Sequence, residues 1–482
     1  MTTTAEQKPA QTETQKFLLN GSDRFGVSKD VRKIYYPADQ ATVVGECYFA
    51  QAEHLELILK SAEQGFKNFR NSKPNERISI LNALAELIEC HASDLAQLIT
   101  YEAGKPISMS ETEVKRAIGV CRGYARELEQ HAAPQTFYFE NREARVGLFP
   151  VGPVIAITPF NFPLNLVIHK LCPAIAAGCS IVIKPDPKTP LTALYLGRLA
   201  AEAGYSAISV VPTDNDVAEA LACSEAFAHL SFTGSDKIGW HLKSIAGKKN
   251  VTLELGGNAA VVIEDLNEPV EQIAQRVAWG AYAYAGQICI SVQRILVNKH
   301  LYDTFVPALK EATRALKVGD PMDPKTVVGP IITVDDLQRT RDILKKAIAK
   351  GANVQYGGNS YNMFTLNPAL LDRTTPEMLI NTQECFAPIA TIDSYDTFEE
   401  GLAMVNASRY GLQTGVYVAD AGMAETAWQT LDVGGVVIND VPTTRVDMLP
   451  YGGMKDSGIG REGVLGGLRQ FSVEKVLVRK KQ

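Results

Sequence analysis

The sequence predicts an α/β protein built on a doubly wound parallel sheet, with a second α/β region after it. Two observations carry that prediction. From Val146 onward, short β-branched apolar runs alternate with helical stretches. Those runs are hydrophobic almost without a break, as strands covered by helices on both faces must be. A chain of 482 residues, at ~150 per domain, makes about three domains or two large ones. The net charge of −6 is small for this length, which argues against a nucleic-acid or membrane-surface partner.

The elements follow in order. Met1–Lys16 is rich in Thr, Gln and Glu and reads as a disordered tail, with no secretory signal. Gln51–Phe69 carries Leu55, Leu57, Ile58, Leu59, Ala62 and Phe66 at helical spacing. Pro74 sits at a new helix start, followed by Ile78, Leu81, Leu84, Leu87 and Ile88. Ser110–His131 is a further helix. Val146–Ile168 has no Asp, Glu, Lys or Arg, but Pro150, Pro153, Pro159 and Pro163 make a spanning helix untenable. Strands are predicted at Val154–Thr158, Ser180–Lys184, Ile208–Val211, His229–Thr233 and Val251–Glu254. The helices between them are Leu164–Ala177, Leu191–Ala203, Val217–Cys223 and Asp236–Ala246. Ligands of such sheets bind beyond the carboxyl ends of the strands, which places Asn161, Lys184, Gly234 and Glu254 near one rim. The second half repeats the alternation, with helices at Val270–Ala285, Leu301–Leu316 and Asp335–Lys350 and strands at Arg294–Val297 and Gly415–Val418. Phe471–Arg479 reads as a terminal strand.

The eight cysteines show no C-x-x-C pair. A zinc site and a disulfide framework are therefore not expected, no metal is assigned, and the compartment expected is the cytosol. Gly458-Ile459-Gly460-Arg461-Glu462-Gly463 matches G-x-G-x-x-G, a fingerprint that needs a strand before, a helix after within a βαβ unit and an acidic residue about 20 positions on; here the match follows a Gly-rich loop and lies close to the chain end. It is read as turn and packing glycines.

Four segments are more specific: Thr158-Pro159-Phe160-Asn161-Phe162-Pro163, Val251 to Asn258, Gly286-Gln287-Ile288-Cys289 and Glu384-Cys385-Phe386-Ala387-Pro388. With them the chain, from about Lys16 to its end, closely resembles the aldehyde dehydrogenase superfamily. The segments Lys248–Ala260, Ala283–Arg294 and Ile438–Gly460 are most similar to the branch of lactaldehyde, phosphonoacetaldehyde and non-phosphorylating glyceraldehyde-3-phosphate dehydrogenases.

The resemblance implies the following. Cys289 is the nucleophile, because a thiolate both attacks a carbonyl and leaves later. The Asn161 amide and the Cys289 backbone N–H hold the oxyanion. Hydride leaves to NAD or NADP, and Glu254 activates the water that hydrolyses the thioester to the acid. Coenzyme A-acylating relatives typically lack that Glu. A coenzyme A-acylating enzyme and a non-catalytic binding protein on the same fold stand as alternatives. The other cysteines (Cys47, Cys90, Cys121, Cys172, Cys179, Cys223, Cys385) read as core residues. The cofactor is assigned Ile157, Thr158, Pro159, Phe160, Lys184, Gly234, Ser235, Leu255, Gly256, Glu384 and Phe386. Pro187, followed by Lys188, stands where many NAD-preferring members carry a Glu, so NADP use is open. Ala387 stands where the family usually has Gly. The substrate pocket is assigned Phe162, Asn165, His169, Ile288, Ile290 and the segment Pro442–Tyr451, with Arg445 in it. The Arg445 guanidinium either anchors an anionic aldehyde or is a surface group paired with Asp447 or Asp440. Arg294 is structural.

By resemblance the chain divides into a tail (1–15), the helical part of the cofactor domain (16–122), an oligomerisation segment (123–146) and the Rossmann-like core (147–254). The catalytic domain (255–440) and a closing segment (441–482) follow. The hairpin Thr136–Arg145, completed by the terminal strand, implies a homodimer or homotetramer.

Overall fold

The computed structural model describes residues 13–23, 28–131 and 133–480. Most of the predicted tail lies outside them. Its last residues are ordered: the Gln15 N–H donates to the Glu46 carbonyl (2.7 Å) and the Gln15 carbonyl accepts from the Tyr48 N–H (2.9 Å). The chain folds as two compact units. One comprises the described residues up to Ala103, Ser110–Ala228 and the chain from Glu474; the other comprises Gly104–Met109 and His229–Val473.

The first unit opens with an antiparallel pair, Val31–Tyr35 and Val43–Tyr48, which the sequence reading passes over. Only Ile34 of the first strand is buried, so its hydrophobic signal is weak. Helices Leu55–Phe69, Pro74–Cys90, Ala92–Ala103 and Ile107–His131 follow. Parallel strands Val154–Ile157, Ile181–Lys184 and Ile208–Val210 pair in register, Ile157 opposite Lys184 and Ile183 opposite Val210. Every residue of these strands is buried, which is why they read as unbroken apolar runs. Helices Asn165–Ala177 and Pro190–Glu202 connect them, and the right-handed βαβ geometry puts both strand ends on one rim. Gln135–Phe139 and Arg142–Pro150 form the predicted hairpin, Thr136 opposite Arg145, with Ser472–Lys480 beside it.

In the second unit His229–Gly234 runs parallel to Asn250–Leu255, with Gly234 opposite Leu255. Gly458–Ile459 pairs antiparallel on the far side, Gly458 opposite Glu254. The larger sheet has the order Asn353–Gly357, Ala369–Asp372, Ile389–Tyr395, Arg294–Asn298, Ala260–Ile263, Gln413–Tyr417, Gly435–Ile438. Only its first strand is antiparallel. Ile295, Val297 and Ile392 pack against Val277, Phe305 and Leu309 of the covering helices. The predicted helix Val270–Ala285 ends earlier, at Tyr282, for a reason that belongs to the site. Among the described residues no helix is long and apolar enough to cross a membrane.

Two cysteine readings need correction. Cys90 and Cys223 are exposed, not core, because each is the last residue of its helix, where the apolar face runs out. Cys47, Cys121, Cys172, Cys179 and Cys385 are buried as expected, and none of the eight is in a disulfide.

Candidate active site

Cys289 lies on a loop built to hold it. The helix Val270–Tyr282 cannot continue, because Tyr284 (φ 53°) and Ala285 (φ 54°) take left-handed backbone, a conformation that costs energy in residues with a Cβ. Gly286 follows at φ 67°, and a Cβ there would lie 2.2 Å from the Ala387 carbonyl oxygen, so only glycine fits. The Gln287 amide locks the loop: it donates to the carbonyls of Tyr284 and Pro330 (both 3.2 Å) and accepts from the Ile332 N–H (3.0 Å). The Ser291 hydroxyl donates to the Ala281 carbonyl (2.9 Å). Ile288 and Ile290, on either side of Cys289, are buried.

Cys289 itself is half-buried. Its Sγ is 3.1 Å from the Tyr451 hydroxyl. Burial pushes its thiol up to about 11, while the Tyr451 hydrogen bond and the charge of Arg445 pull it down and Glu384 and Glu254 push it up. The resting sulfur is therefore protonated at neutral pH, and a base or a rearrangement of charge must release the thiolate.

Glu254 is buried at the carboxyl end of its strand. Gly452 makes room for it, since a Cβ there would stand 2.8 Å from Glu254 Oε1. A Cβ on Gly257 would be 3.3 Å from the Cys289 carbonyl oxygen. Glu384 accepts from the Gly257 N–H (3.1 Å), and burial raises its carboxyl to about 7. A Cβ on Gly256 would strike that carboxylate at 2.2 Å. Phe386, two residues on, has φ 49°. Cys289, Glu254, Glu384, Leu255, Gly256 and the Tyr451 loop thus gather in one part of the second unit.

Arg445 belongs there too. It is not a surface residue: its side chain is 8% exposed. It pairs with Asp447 (3.3 Å) and Glu462 (3.8 Å) and stacks 3.9 Å from the Tyr451 ring centre. Asp440 pairs instead with Arg276 (2.5 Å). Arg445 Nε and Nη2 are buried yet complete no hydrogen bond among the described residues. Glu462 escaped the sequence reading because it sits inside the rejected glycine motif. The motif is indeed one of turns: Gly458, Gly460 and Gly463 all have positive φ. Arg294 is half-buried and donates to the carbonyls of Asn258, Met404 and Val405, a structural part.

In the first unit, Ile157 ends its strand, and Thr158, Pro159, Phe160, Asn161 and Phe162 form the turn beyond it. The Thr158 N–H donates to the Lys184 carbonyl (3.1 Å), and Lys184 is buried, with its ammonium pushed down by desolvation. Lys188 lies 5.0 Å from the Phe160 ring centre. The Glu113 carboxylate accepts from the Leu164 and Asn165 N–H groups (both 2.9 Å), so the start of the following helix is already capped. Asn161, Asn165 and His169 are all buried. Features that suit parts of a dinucleotide occur in each unit taken by itself. Lys184 is a cation at a strand end, Gly234-Ser235 precede a helix whose N-cap side chain makes no capping bond, and Glu384 faces backbone too close for any Cβ. Among the described residues no cluster of His, Cys, Asp and Glu could hold a metal ion.

Comparison with known proteins agrees with this chemistry. The model of the "Aldehyde dehydrogenase family" matches residues 26–477. The chain is 37% identical over 444 residues to 3-sulfolactaldehyde dehydrogenase of Priestia aryabhattai, covering 90% of this chain and 92% of that one. Aldehyde dehydrogenase 21 of Physcomitrella patens, solved with its reaction product succinate, superposes with a TM-score of 0.93 at 33% identity, over 97% of this chain and 98% of that one. The glyceraldehyde-3-phosphate dehydrogenase GapN of Methanocaldococcus jannaschii, complexed with NADP, gives a TM-score of 0.90 at 32% identity, over 94% and 100%.

Proposed function

The chain belongs to the aldehyde dehydrogenase family, and on that premise we propose that it oxidises a short anionic aldehyde to its carboxylic acid with NAD or NADP. The observation that carries the anionic class is Arg445, a buried guanidinium beside Cys289 with two N–H donors that complete no hydrogen bond among the described residues. A buried donor left so is costly, and a substrate sulfonate, carboxylate or phosphate would satisfy it. The relatives point the same way, since one is named for a sulfonated aldehyde and another was solved with succinate.

In the reading we favour, the Cys289 thiolate attacks the carbonyl carbon and Asn161 with the Cys289 N–H steadies the oxyanion. When bound, the nicotinamide supplies the hydride acceptor that converts the thiohemiacetal to a thioester. Glu254 then takes a proton from water, which attacks the thioester and releases Cys289. Gly452 leaves the Glu254 carboxylate the room this needs. Lys184, Gly234, Ser235 and Glu384 would hold the dinucleotide. With Pro187 and Lys188 after Lys184, no carboxylate stands at the position three residues on to repel a 2′-phosphate.

We also propose a homodimer or homotetramer. The hairpin exposes Phe137, Tyr138 and Phe139, and the neighbouring strand exposes Val476, Leu477 and Val478, an apolar edge that a second copy would cover. A reducing, cytoplasmic location fits eight cysteines with no disulfide among them.

The test is formation of reduced nicotinamide with sulfonated, carboxylated, phosphorylated and neutral short aldehydes, each with NAD and with NADP. Turnover fastest with one anionic class and release of the free acid are expected. No turnover with any pair, or turnover only when coenzyme A is added, would overturn the proposal.

A further inference from the structure

The Tyr451 hydroxyl touches the sulfur that is to react, at 3.1 Å, from a residue 162 positions away in sequence. Tyr451 is buried and Cys289 half-buried. Between two neutral groups, either the thiol or the phenol can donate. Once sulfur has lost its proton it has nothing to donate, and only the Tyr451 O–H can complete the bond. A hydrogen bond to an anion is about twice as strong as one between neutral groups, so this contact favours the ionised sulfur. The direction is secured by the phenol's reluctance to ionise: burial and the neighbouring sulfur hold it well above its ordinary value. The ring is fixed in turn by the Arg445 guanidinium 3.9 Å from its centre, which Asp447 and Glu462 hold in place.

We propose that Tyr451 is a catalytic hydrogen-bond donor that stabilises the Cys289 thiolate before attack, with Arg445 as the positioning residue that fixes its ring. The charged and titratable groups facing the sulfur are Tyr451 and Arg445, which favour the anion, and Glu254 and Glu384, which oppose it. Facing Tyr451 are Cys289, Arg445 and Glu254. Ionisation breaks the S–H bond, leaves its electron pair on sulfur and passes the proton to solvent. Without the phenol donor, burial and two carboxylates would act on the sulfur with only the cation to offset them.

The proposal rests on Cys289 being the nucleophile, but its test needs no aldehyde, so the two readings fail separately. Cys289 alkylation by iodoacetamide, in which the thiolate displaces iodide to form a thioether, is followed against pH in the full-length protein. A Cys289→Ser variant identifies the labelled site. Tyr451→Phe keeps the ring and its stacking and removes only the hydroxyl. The apparent thiol pKa should rise by about 1–2 units. Thiolate lost is partly offset by greater nucleophilicity, so alkylation at pH 7.5 should slow about 3- to 10-fold. Replacing Tyr451 with 3,5-difluorotyrosine, a stronger donor, should move the pKa the other way. That arm keeps the test decisive if the Phe variant folds poorly. An unchanged alkylation pKa in the Phe variant with only the aldehyde KM raised would make Tyr451 a pocket wall and overturn the proposal, as would a difluorotyrosine protein whose pKa does not fall.

Discussion

Replacing Arg445 by Lys keeps a positive charge beside Cys289 and removes the planar fork. Nε and Nη2 of the native side chain lie 3.3 Å from Asp447 and 3.8 Å from Glu462 and complete no hydrogen bond among the described residues; in the proposed complex the guanidinium donates to the anionic group of the substrate. Each charge-assisted bond is worth about 1.5–3 kcal/mol. Lysine offers a single ammonium in their place, so about one bond is lost. At about 1.4 kcal/mol per tenfold, KM for a sulfonated or carboxylated aldehyde should rise roughly 10- to 150-fold. A neutral aldehyde of the same length makes no such bond, and its KM should change about 3-fold or less. The assay is steady-state kinetics on a matched pair of anionic and neutral aldehydes. Equal changes in both would refute the anchor. Arg445→Met is a separate experiment on stability. It leaves buried Glu462 and half-buried Asp447 beside a lost cation, and removing one partner of a buried pair costs about 3–5 kcal/mol, visible as a fall in thermal midpoint.

Other outcomes follow from the same geometry. Cys289→Ala should abolish aldehyde oxidation, and retained reduced-nicotinamide formation would exclude the sulfur as nucleophile. Glu254→Gln should leave a stoichiometric burst of reduced nicotinamide while steady-state turnover falls about 10²- to 10⁴-fold; loss of the burst itself would assign Glu254 to an earlier step. Gly286→Ala places a Cβ 2.2 Å from the Ala387 oxygen at φ 67°, so it should lower thermal stability by about 1–3 kcal/mol or more and slow Cys289 alkylation; a variant indistinguishable from wild type would show that the loop is not held rigidly. Glu384, raised from 4.5 to about 7 by burial, keeps its proton in the folded state over a range where the unfolded chain has lost it. Its contribution therefore falls as pH rises from 4.5 to 7, by about 3 kcal/mol in all, and stays low above that. Glu384→Gln should gain stability on wild type across that window; parallel melting curves from pH 4.5 to 8 would contradict the shift.

Legibility in the sequence followed burial. The strands Val154–Ile157, Ile181–Lys184 and Ile208–Val210 are buried along their whole length and announce themselves as apolar runs. Val31–Tyr35 buries one residue and gives no such signal, so the first hairpin went unread. The helix Val270–Tyr282 was overextended because Ala283, Tyr284 and Ala285 are good apolar helix residues by composition. The left-handed backbone of Tyr284 and Ala285 is imposed by Gly286 packing on Ala387 and by Gln287 bonding Pro330 and Ile332, contacts from distant chain.

The nucleophile, the candidate base and the family were readable because the chemistry is written in short contiguous segments: Glu254 precedes a glycine pair, and Cys289 closes Gly286-Gln287-Ile288. Local order of residues alone determined those, along with the α/β alternation that supports them. Tertiary structure decided the surroundings of the sulfur. Tyr451 comes to Cys289 from 162 positions away and brings with it Arg445 and Glu462, and whether Arg445 is exposed or buried depends on which carboxylates fold beside it. Hydrogen-bond geometry and desolvation act through space, and a linear pattern carries neither.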